Sequence, residues 1–428
     1  MTGFKSLCRN ATLASLAALL LSGEAMALDA ATAASRFADA GIKIIGKEPT
    51  AEAIEGMKSF SFPHNYSATD EDLALLAEHP LLSNLSLGDP SLLTPRALDI
   101  IATMPAMRSL TMNGMRLDEK AFAALAGMEK LQDLHVSNAY GVTPSGLAAL
   151  AGSKSLRFIE LYDTVVGDAG LAELAKIQTL EELNLGRARG ITPEGIAKLA
   201  GLKNLRKLNL NETWVDDSAM SAFAGHPALR MLMLNKSDGL SDAAFAHFAT
   251  IPSLESLWLD ETGVTGKGIG ALGKLKKLKS LTLSGTPVHD GEAEGFGKLT
   301  ALQSLNISRS RAGDAIAGQL AGLANLSNLD MQKTELGDEG LKAISPMQQM
   351  KYLNVSNTNV SDASASGLEL PSLESLDLSK TRATAAALEK LSAHPTLKNL
   401  SMRDLGITDQ QVEAAKAKRG EKQMRIYK

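Results

Sequence analysis

The hydrophobic positions of this chain recur at a fixed spacing along almost its whole length. The pattern is clearest in residues 204–227, where Leu205, Leu208 and Leu210 follow the order L-x-x-L-x-L. Alternating apolar positions of this kind predict a short strand with one buried face. Residues 219–224 are mostly small and apolar, which predicts a short helix after the strand.

The first apolar residue of this pattern, called the anchor below, can be followed through fifteen units. The anchors are Met57, Leu82, Met107, Leu131, Leu156, Leu180, Leu205, Leu229, Leu254, Leu278, Leu302, Leu326, Met350, Leu373 and Leu397. Successive anchors are 24 or 25 residues apart, with a single interval of 23. A fixed period of this length is typical of a solenoid built from one repeated strand and helix unit.

The two halves of each unit also predict how the units stack. A lone repeat cannot bury its own apolar face, so each unit needs neighbours on both sides. Strands stack about 4.8 Å apart, whereas a helix with its side chains is about 10 Å across. The column should therefore curve into a horseshoe, with a parallel sheet on the concave face and helices on the convex face.

Over residues 57–410 the pattern resembles the leucine-rich repeat family, whose units begin L-x-x-L-x-L and turn at Asn, Cys or Thr. The helical halves GLAALA (146–151), GLAELA (170–175) and GIAKLA (195–200) are similar to the GALA-type, ribonuclease-inhibitor-like repeats of bacterial proteins. The resemblance implies an α/β leucine-rich repeat solenoid of about fifteen strand and helix units. It says much less about function, because many unrelated functions share this fold.

Residues 1–27 have the pattern of a secretory signal peptide. Lys5 and Arg9 are basic, residues 13–21 are apolar, and Ala25 and Ala27 form a small-residue cleavage site. We expect cleavage after Ala27 and a mature protein in the periplasm or the medium. The apolar run is about half as long as the roughly 20 residues of a membrane span, so no transmembrane segment is expected in the mature chain.

Residues 28–56 and 411–428 flank the repeats and are expected to cap the two ends of the solenoid. In the first cap, residues 30–40 predict a helix, Gly41 a break and residues 42–45 a short edge strand. In the second, residues 410–418 predict a last helix and residues 424–427 a closing strand.

Two features recur where the units turn. In the shorter units a Thr such as Thr213 stands at the corner after the strand. His-Pro pairs at His79, His226 and His394 predict helix ends that carry a capping histidine.

Composition excludes several classes of function. Cys8, the single cysteine, leaves with the signal peptide, so disulfides, thiolate metal sites and cysteine nucleophiles are not expected. The lack of cysteine-bonded caps also favours a bacterial source. A net charge of −4 does not support nucleic acid as a partner. A GxGxxG run at residues 268–273 falls where other units have their helix, without a βαβ unit, so no nucleotide or other cofactor is expected.

One pair of residues raises the question of catalysis. His135 and Glu160 occupy equivalent positions in neighbouring strands, where they could share a proton or a metal ion. No third ligand or nucleophile stands in a suitable relation to them. The sequence therefore predicts a protein that is not an enzyme and binds no metal.

The side chains predicted to point outward from the sheet are bulky only in the central repeats. Small or polar residues fill nearly all of these positions elsewhere, with Tyr352 the main exception, whereas the centre presents Phe158, Glu160, Tyr162, Lys207, Met231, Met233, Trp258 and Asp260. An exposed apolar patch with a polar rim is typical of an interaction surface, and Tyr, Trp and Met are enriched in interfaces. We expect these residues to bind a protein ligand, unless they cover one another.

Beside this set, the eighth position of five successive repeats alternates in charge. The residues are Asp163, Arg187, Glu212, Lys236 and Glu261. They predict a ladder of salt bridges that orders one edge of the patch, with direct ligand recognition as the alternative.

We therefore expect a monomeric, non-catalytic module that binds another macromolecule on its concave face after export. One alternative is a carbohydrate-binding envelope protein that uses Trp258, Tyr162 and Phe158 as stacking platforms. A weaker alternative follows from the GALA-type resemblance, which implies a host-directed adaptor that recruits a ubiquitin ligase through an F-box. The region before the first repeat leaves little room for an F-box.

Overall fold

The computed structural model describes residues 30–44, 46–77, 79–419 and 424–428. The predicted signal peptide and Cys8 lie outside these residues. The chain divides into two compact units, one ending at Gly190 and the other beginning at Ile191. Over the described ranges, no helix combines the length and the apolar character that crossing a membrane requires.

The described part of the first unit contains six parallel strands of three residues each. They are β1 (Ser59–Ser61), β2 (Asn84–Ser86), β3 (Ser109–Thr111), β4 (Asp133–His135), β5 (Phe158–Glu160) and β6 (Glu182–Asn184). The helices are α1 (Ala30–Asp39), α2 (Ala51–Glu55), α3 (Asp70–Ala74), α4 (Arg96–Ala102), α5 (Glu119–Ala126), α6 (Pro144–Leu150) and α7 (Gly167–Leu174). Each strand pairs with the next so that central apolar residues are adjacent, as Leu110 is to Leu134.

The described part of the second unit repeats this order with ten strands. They are β7 (Lys207–Asn209), β8 (Met231–Met233), β9 (Ser256–Trp258), β10 (Ser280–Thr282), β11 (Ser304–Asn306), β12 (Asn328–Asp330), β13 (Tyr352–Asn354), β14 (Ser375–Asp377), β15 (Asn399–Ser401) and β16 (Arg425–Tyr427). The α-helices are α8 (Pro193–Lys198), α9 (Asp217–Ala222), α10 (Ala244–Phe248), α11 (Asp314–Leu320), α12 (Asp338–Ile344), α13 (Asp362–Ala365), α14 (Ala385–Leu391) and α15 (Asp409–Arg419). Three 3-10 helices, Leu199–Gly201, Ile269–Lys274 and Asp290–Lys298, complete it. This alternation confirms the predicted α/β repeat fold.

The inward leucines form the core, as the spacing predicts. Leu205, Leu208 and Leu210 have 0% exposed surface, and the same holds for Phe223 after the helix of that repeat. Burying a side chain of this kind contributes about 1.5–3 kcal/mol. The strand and the segment around the helix therefore share one hydrophobic layer within each repeat.

Threonine hydroxyl groups at the corner donate hydrogen bonds to backbone carbonyl oxygens that the turn leaves without a partner. Thr213 Oγ1 donates to the carbonyl oxygen of Leu210 at 2.5 Å, and Thr262 Oγ1 donates to that of Leu259 at 2.7 Å. Both threonines are buried. A buried carbonyl without a partner costs about 1–3 kcal/mol, which explains why Thr recurs at this position.

Aspartates tie neighbouring repeats together on the helical side. Asp338 begins α12 and accepts a hydrogen bond from the backbone N–H of Ser361 in the next repeat at 2.9 Å. Asp362 does the same for Thr384 at 2.8 Å. Such bonds satisfy a backbone donor at each helix start and hold successive units in register.

The eighth position of most repeats has the left-handed backbone conformation. Its non-glycine residues have φ angles of 52–60°: Asn138, Asp163, Arg187, Glu212, Lys236, Glu261, Arg309, Lys333, Asn357, Lys380 and Asp404. Gly114 and Gly285 hold the same position in two other repeats, with φ of 74° and 70°. A non-glycine residue in this backbone conformation costs about 1–2 kcal/mol of free energy. The geometry of the turn therefore imposes the conformation on these residues.

The segment before β1 seals the first repeat with aromatic rings. Phe37 of α1 is fully buried and stacks on Phe60, with ring centroids 4.9 Å apart. Gly41 ends the predicted first helix with a φ of 69°. In the stretch predicted as an edge strand, Ile44 instead forms an isolated antiparallel bridge with Lys47. At the other end the predicted closing strand is confirmed as β16, which pairs with β15.

The GxGxxG run lies in a part of the second unit where 3-10 helices replace α-helices. A Cβ atom on Gly295 would lie 2.9 Å from the backbone nitrogen of Gly270, and one on Gly273 would lie 2.6 Å from the carbonyl oxygen of Lys298. Glycine is therefore required because two backbone segments pack directly against each other. Close packing accounts for Gly270 and Gly273 of the motif, and a left-handed φ of 83° accounts for Gly268.

Candidate functional site

In the first unit, the predicted residues of β5 lie beside a histidine of β4. His135 pairs in register with Glu160, and its Nδ1 lies 3.4 Å from the Oε2 of that carboxylate. The imidazole ring also lies 4.6 Å from the ring centroid of Phe158. The three side chains form one partly buried cluster on the face of the sheet.

Hydrogen bonds hold Glu160 in its ionised form. The bond from His135 is the main cause that lowers its pKa, and a further bond from the hydroxyl of Ser137 acts in the same direction against the effect of burial. In contrast, burial raises the pKa of the neighbouring Asp133, and Glu182 adds to the rise. The cluster therefore presents an orientated carboxylate beside an aromatic ring.

This arrangement differs from that of a catalytic triad. Ser137 donates its hydroxyl proton to Glu160, so the proton is directed to the carboxylate rather than to His135. A catalytic serine needs its base as hydrogen-bond partner. Among the described residues, no group of three or more His, Cys, Asp or Glu side chains could hold a metal ion.

Tyr162, at the end of the same repeat, is paired with a cation. The guanidinium carbon of Arg187 lies 5.9 Å from the centroid of the tyrosine ring. Cation–π contacts at exposed sites contribute about 0.5–1 kcal/mol. Tyr162 remains partly exposed, but its ring is held in place.

In the second unit the predicted residues occupy three successive strands. Lys207 is in register with Met231, and Met233 is in register with Trp258. Lys207, Met231 and Trp258 are partly exposed, whereas Met233 is only 6% exposed. Trp258 Nε1 donates to the hydroxyl of Ser256 at 3.0 Å. Met233 is thus buried and does not face solvent, which agrees with the alternative that residues of this set cover one another.

Asp260 is occupied by the backbone of the next repeat. Its Oδ1 accepts from the N–H of Ser284 at 2.7 Å, and its own N–H donates to Oδ1 of Asn235 at 2.8 Å. Asn211 in turn accepts from the N–H of Asn235 at 2.8 Å. Burial raises the pKa of Asp260 despite the bond from Ser284. Asp260 therefore belongs to a ladder of hydrogen bonds that joins successive repeats. The sequence predicted a role in ligand binding and not this structural role.

Charged residues at the eighth position take part in ion pairs both within the alternating series and beyond it. Lys236 Nζ lies 3.7 Å from Glu212, but Glu261 pairs with Arg309, two repeats further on, at 2.9 Å. Asp163 lies 3.6 Å from Arg189. These side chains are 29–63% exposed, and ion pairs at exposed sites contribute about 0.2–1 kcal/mol. Their position is fixed mainly by the left-handed turn.

The most exposed aromatic residues lie outside the predicted set. Trp214 is 71% exposed, Tyr140 is 68% exposed, and Val165, at the equivalent position of another repeat, is 56% exposed. All three stand at the tenth position counted from the anchor, directly beyond the corner. The sequence indicates that this position is exposed, because other repeats place charged residues such as Arg116 and Asp238 there.

Comparison with known proteins agrees with this architecture. The leucine-rich repeat family model matches residues 176–200 and 322–345. No curated protein sequence matches the chain.

Several solved structures share the fold at low sequence identity. A leucine-rich repeat protein of Leptospira interrogans is 17% identical, with a TM-score of 0.62 over 94% of this chain and 98% of that one. A chain from the complex of yeast Rad7 and Elc1 is 19% identical, with a TM-score of 0.52 over 94% of this chain and 98% of that one. TLR13, from its complex with ssRNA13, is 16% identical, with a TM-score of 0.56 over 84% of this chain and 65% of that one. The chain thus aligns with just under two thirds of that receptor, and all three likenesses concern the fold alone.

Proposed function

The chain is a leucine-rich repeat protein, and from this premise we propose that it is a non-catalytic module that binds another protein and is exported to the periplasm or the medium. The observation that carries the proposal is the row of partly exposed side chains on the sheet. In β5, Phe158 and Glu160 flank the fully buried Ile159, so the strand holds both of them rigidly outward.

The kinds of side chain in this row support a binding role. In β1 to β3 the outward side chains are Ser, Asn and Thr. In the first unit, β4 and β5 add His135, Phe158 and Glu160, which already contact one another. Aromatic groups held in place before binding lose little conformational entropy on association. In the second unit, Met231 and Trp258 make a separate, partly apolar set.

Proteins with this fold are found in complexes, such as the complex of Rad7 and Elc1. The carbohydrate alternative requires aromatic rings with an open face. Trp258 is half-buried and its indole nitrogen is bonded to Ser256. Protein binding is therefore the preferred function.

The proposal can be tested by affinity capture from extracts of the source organism. One variant, Phe158→Ala with Tyr162→Ala, tests the first unit, and a second, Met231→Ala with Trp258→Ala, tests the second unit. Met233 is left intact because its removal would open a cavity. Tyr352→Ala is the control, since this tyrosine is 40% exposed on β13 but lies outside both sets.

We expect a protein retained by the wild type and by Tyr352→Ala but lost by at least one double variant. All four proteins should melt at similar temperatures, which shows that the fold is intact. Equal capture by every variant would exclude the sheet face as the binding surface.

Export has its own test, in which the full chain is expressed in a Gram-negative host. The mature protein should be found outside the cytoplasm, and N-terminal sequencing should begin at Leu28. Ala27→Arg should block this cleavage, because the signal peptidase site needs a small residue. Retention of an uncut chain by the wild type would contradict export.

A further inference from the structure

Four lysines lie in a short segment of the second unit that leads into β10. The segment, residues 272–279, reads L-G-K-L-K-K-L-K. Leu272, Leu275 and Leu278 recur at every third position and are only 1–3% exposed. Because these leucines fix the segment to the core, the lysines between them point outward. All four are exposed: Lys274, Lys276, Lys277 and Lys279.

Cations outnumber carboxylates along the edge of the solenoid where this segment lies. The segments before successive strands lie side by side, because the N–H of Ser280 donates to the carbonyl oxygen of Glu255 at 3.1 Å and the N–H of Gln303 donates to that of Lys279 at 2.9 Å. Five such segments follow one another: 224–230, 249–255, 273–279, 297–303 and 321–327. Together they carry six Lys and Arg residues and one carboxylate, that of Glu255. We call this surface the basic edge.

Nearby carboxylates reduce this excess of positive charge but do not remove it. Glu292 and Glu294 belong to the 3-10 helix that precedes residues 297–303, and adding them still leaves six cations against three carboxylates. Glu294 Oε1 lies 3.6 Å from Nζ of Lys298. In the same way, Glu255 Oε1 lies 3.6 Å from Nη1 of Arg230. The ion pairs therefore involve the two ends of the basic edge, and the lysines of its central segment keep their charge.

The lysines of the central segment make few contacts within the protein. Lys276 donates to the backbone carbonyl oxygen of Gly273 at 3.1 Å, a neutral acceptor that does not cancel its charge. Over the residues that the structure describes, three lysines of the segment have no ion pair: Lys274, Lys277 and Lys279. Although the whole chain has a net charge of −4, this edge is locally positive and attracts anions.

The surroundings of these lysines favour a flat anionic surface as their partner over a protein segment. Protein interfaces have cores rich in aromatic and other large apolar side chains. In the described part of the chain, the large hydrophobic residues that are exposed all lie outside the five segments of the basic edge. Lysine also lacks the rigid fork with which arginine recognises a single carboxylate or phosphate. Clusters of about four to eight basic residues bind anionic lipid headgroups through their summed charge.

We propose that the basic edge binds the headgroups of an anionic lipid bilayer and holds the protein at a membrane surface. The contact is peripheral and electrostatic, with the lysine side chains reaching the headgroups and the leucines of the segment remaining in the core. It uses residues outside the two sets proposed to bind a protein on the sheet and does not depend on that function.

Sedimentation with lipid vesicles tests this proposal. The mature chain is used, since the apolar run of the predicted signal peptide would itself enter a bilayer. It should bind vesicles of equimolar phosphatidylglycerol and phosphatidylcholine and should not bind vesicles of phosphatidylcholine alone. Raising the salt concentration from about 0.05 M to about 0.5 M should abolish the binding, because salt screens exposed charges.

Two variants with the same change in net charge locate the contact. Lys274→Gln combined with Lys277→Gln and Lys279→Gln should lower the affinity for the mixed vesicles about a hundredfold, since each lysine near an anionic surface contributes about fivefold. The control replaces three exposed lysines outside the basic edge by Gln: Lys333, Lys342 and Lys390. The control should bind as the wild type does, and both variants should keep the melting temperature of the wild type.

The proposal is overturned if the wild type does not bind the mixed vesicles, or if the variant of the basic edge binds them as tightly as the control does. Equal binding to neutral vesicles would also overturn it, because apolar contacts would then be responsible. Binding of polyaspartate without binding to the mixed vesicles would replace the bilayer by an acidic protein segment. Loss of the protein ligand in the sheet variants, with vesicle binding unchanged, would show that the two surfaces act separately and would support the proposal.

Discussion

The Nε2 atom of His226 lies 3.0 Å from the carbonyl oxygen of Leu202 in the preceding repeat. Its Nδ1 accepts a hydrogen bond from the N–H of Leu229 at 3.2 Å. The ring is almost fully buried and must be neutral, with its proton on Nε2, to make both bonds. His79 and His394 place Nε2 in the same way, 2.6 Å from the carbonyl oxygen of Ile54 and 2.8 Å from that of Glu369. The histidine predicted to cap a helix therefore also joins two repeats.

Acidification should weaken the second unit through His226. Burial lowers the pKa of this imidazole below its ordinary value of 6.5. The unfolded chain therefore takes up the proton first, and the stabilisation is present above about pH 6.5 and lost as the pH falls towards the lowered pKa. Urea unfolding at about pH 7.5 and about pH 5.5 should show a larger loss for the wild type than for His226→Gln. Equal losses would contradict a neutral histidine at this position.

Asp72 should be essential for joining α1 to the first repeat. It is fully buried and accepts from Arg36 Nε at 2.8 Å, from the hydroxyl of Tyr66 at 2.9 Å and from the N–H of Thr69 at 2.9 Å. Asp72→Ala leaves these donors without an acceptor and should lower the free energy of unfolding by about 3 kcal/mol. Glu71→Ala, in the same helical turn, should cost less than about 1 kcal/mol. Similar losses for both variants in chemical denaturation would show that the buried carboxylate has no special role.

Two glycines of the second unit should respond to alanine in opposite ways. Gly295→Ala places a Cβ 2.7 Å from the Cγ2 of Ile269 and 2.9 Å from the backbone of Gly270, so we expect a loss of about 1–3 kcal/mol. Gly318 lies inside α11 with no atom within 4 Å of an added Cβ. Gly318→Ala should therefore stabilise the protein by about 0.5–1 kcal/mol. Thermal melts of the two variants distinguish packing from a general intolerance of substitution.

Glycine in place of a residue with a left-handed backbone conformation should stabilise the protein. Lys333 has a φ of 54°. Lys333→Gly removes the steric cost of a Cβ in this conformation and should raise the free energy of unfolding by about 1 kcal/mol. Lys333→Ala keeps the Cβ and should leave stability nearly unchanged. If both variants behave alike in urea unfolding, the side chain rather than the backbone controls this position.

Much of the fold could be predicted because it follows from a local and repeated pattern. The spacing of Leu205, Leu208 and Leu210 recurs in every unit, and an apolar residue at these positions has one stable place, inside the stack. The corner Thr and the His-Pro pairs could be located for the same reason, since their hydrogen bonds connect positions at fixed separations along the chain.

The exposure of the side chains on the sheet could be predicted less well. Met233 occupies the same position of its repeat as Trp258, and Asp260 the same position as Tyr162, but Met233 is buried and Asp260 is bonded to the next repeat. Trp214 and Tyr140 lie just beyond the corner and are the aromatic residues that solvent reaches most. Periodicity assigns a residue to the inner or the outer side of its own repeat. Exposure depends in addition on what the neighbouring repeats place beside it, and only the packed structure contains that information.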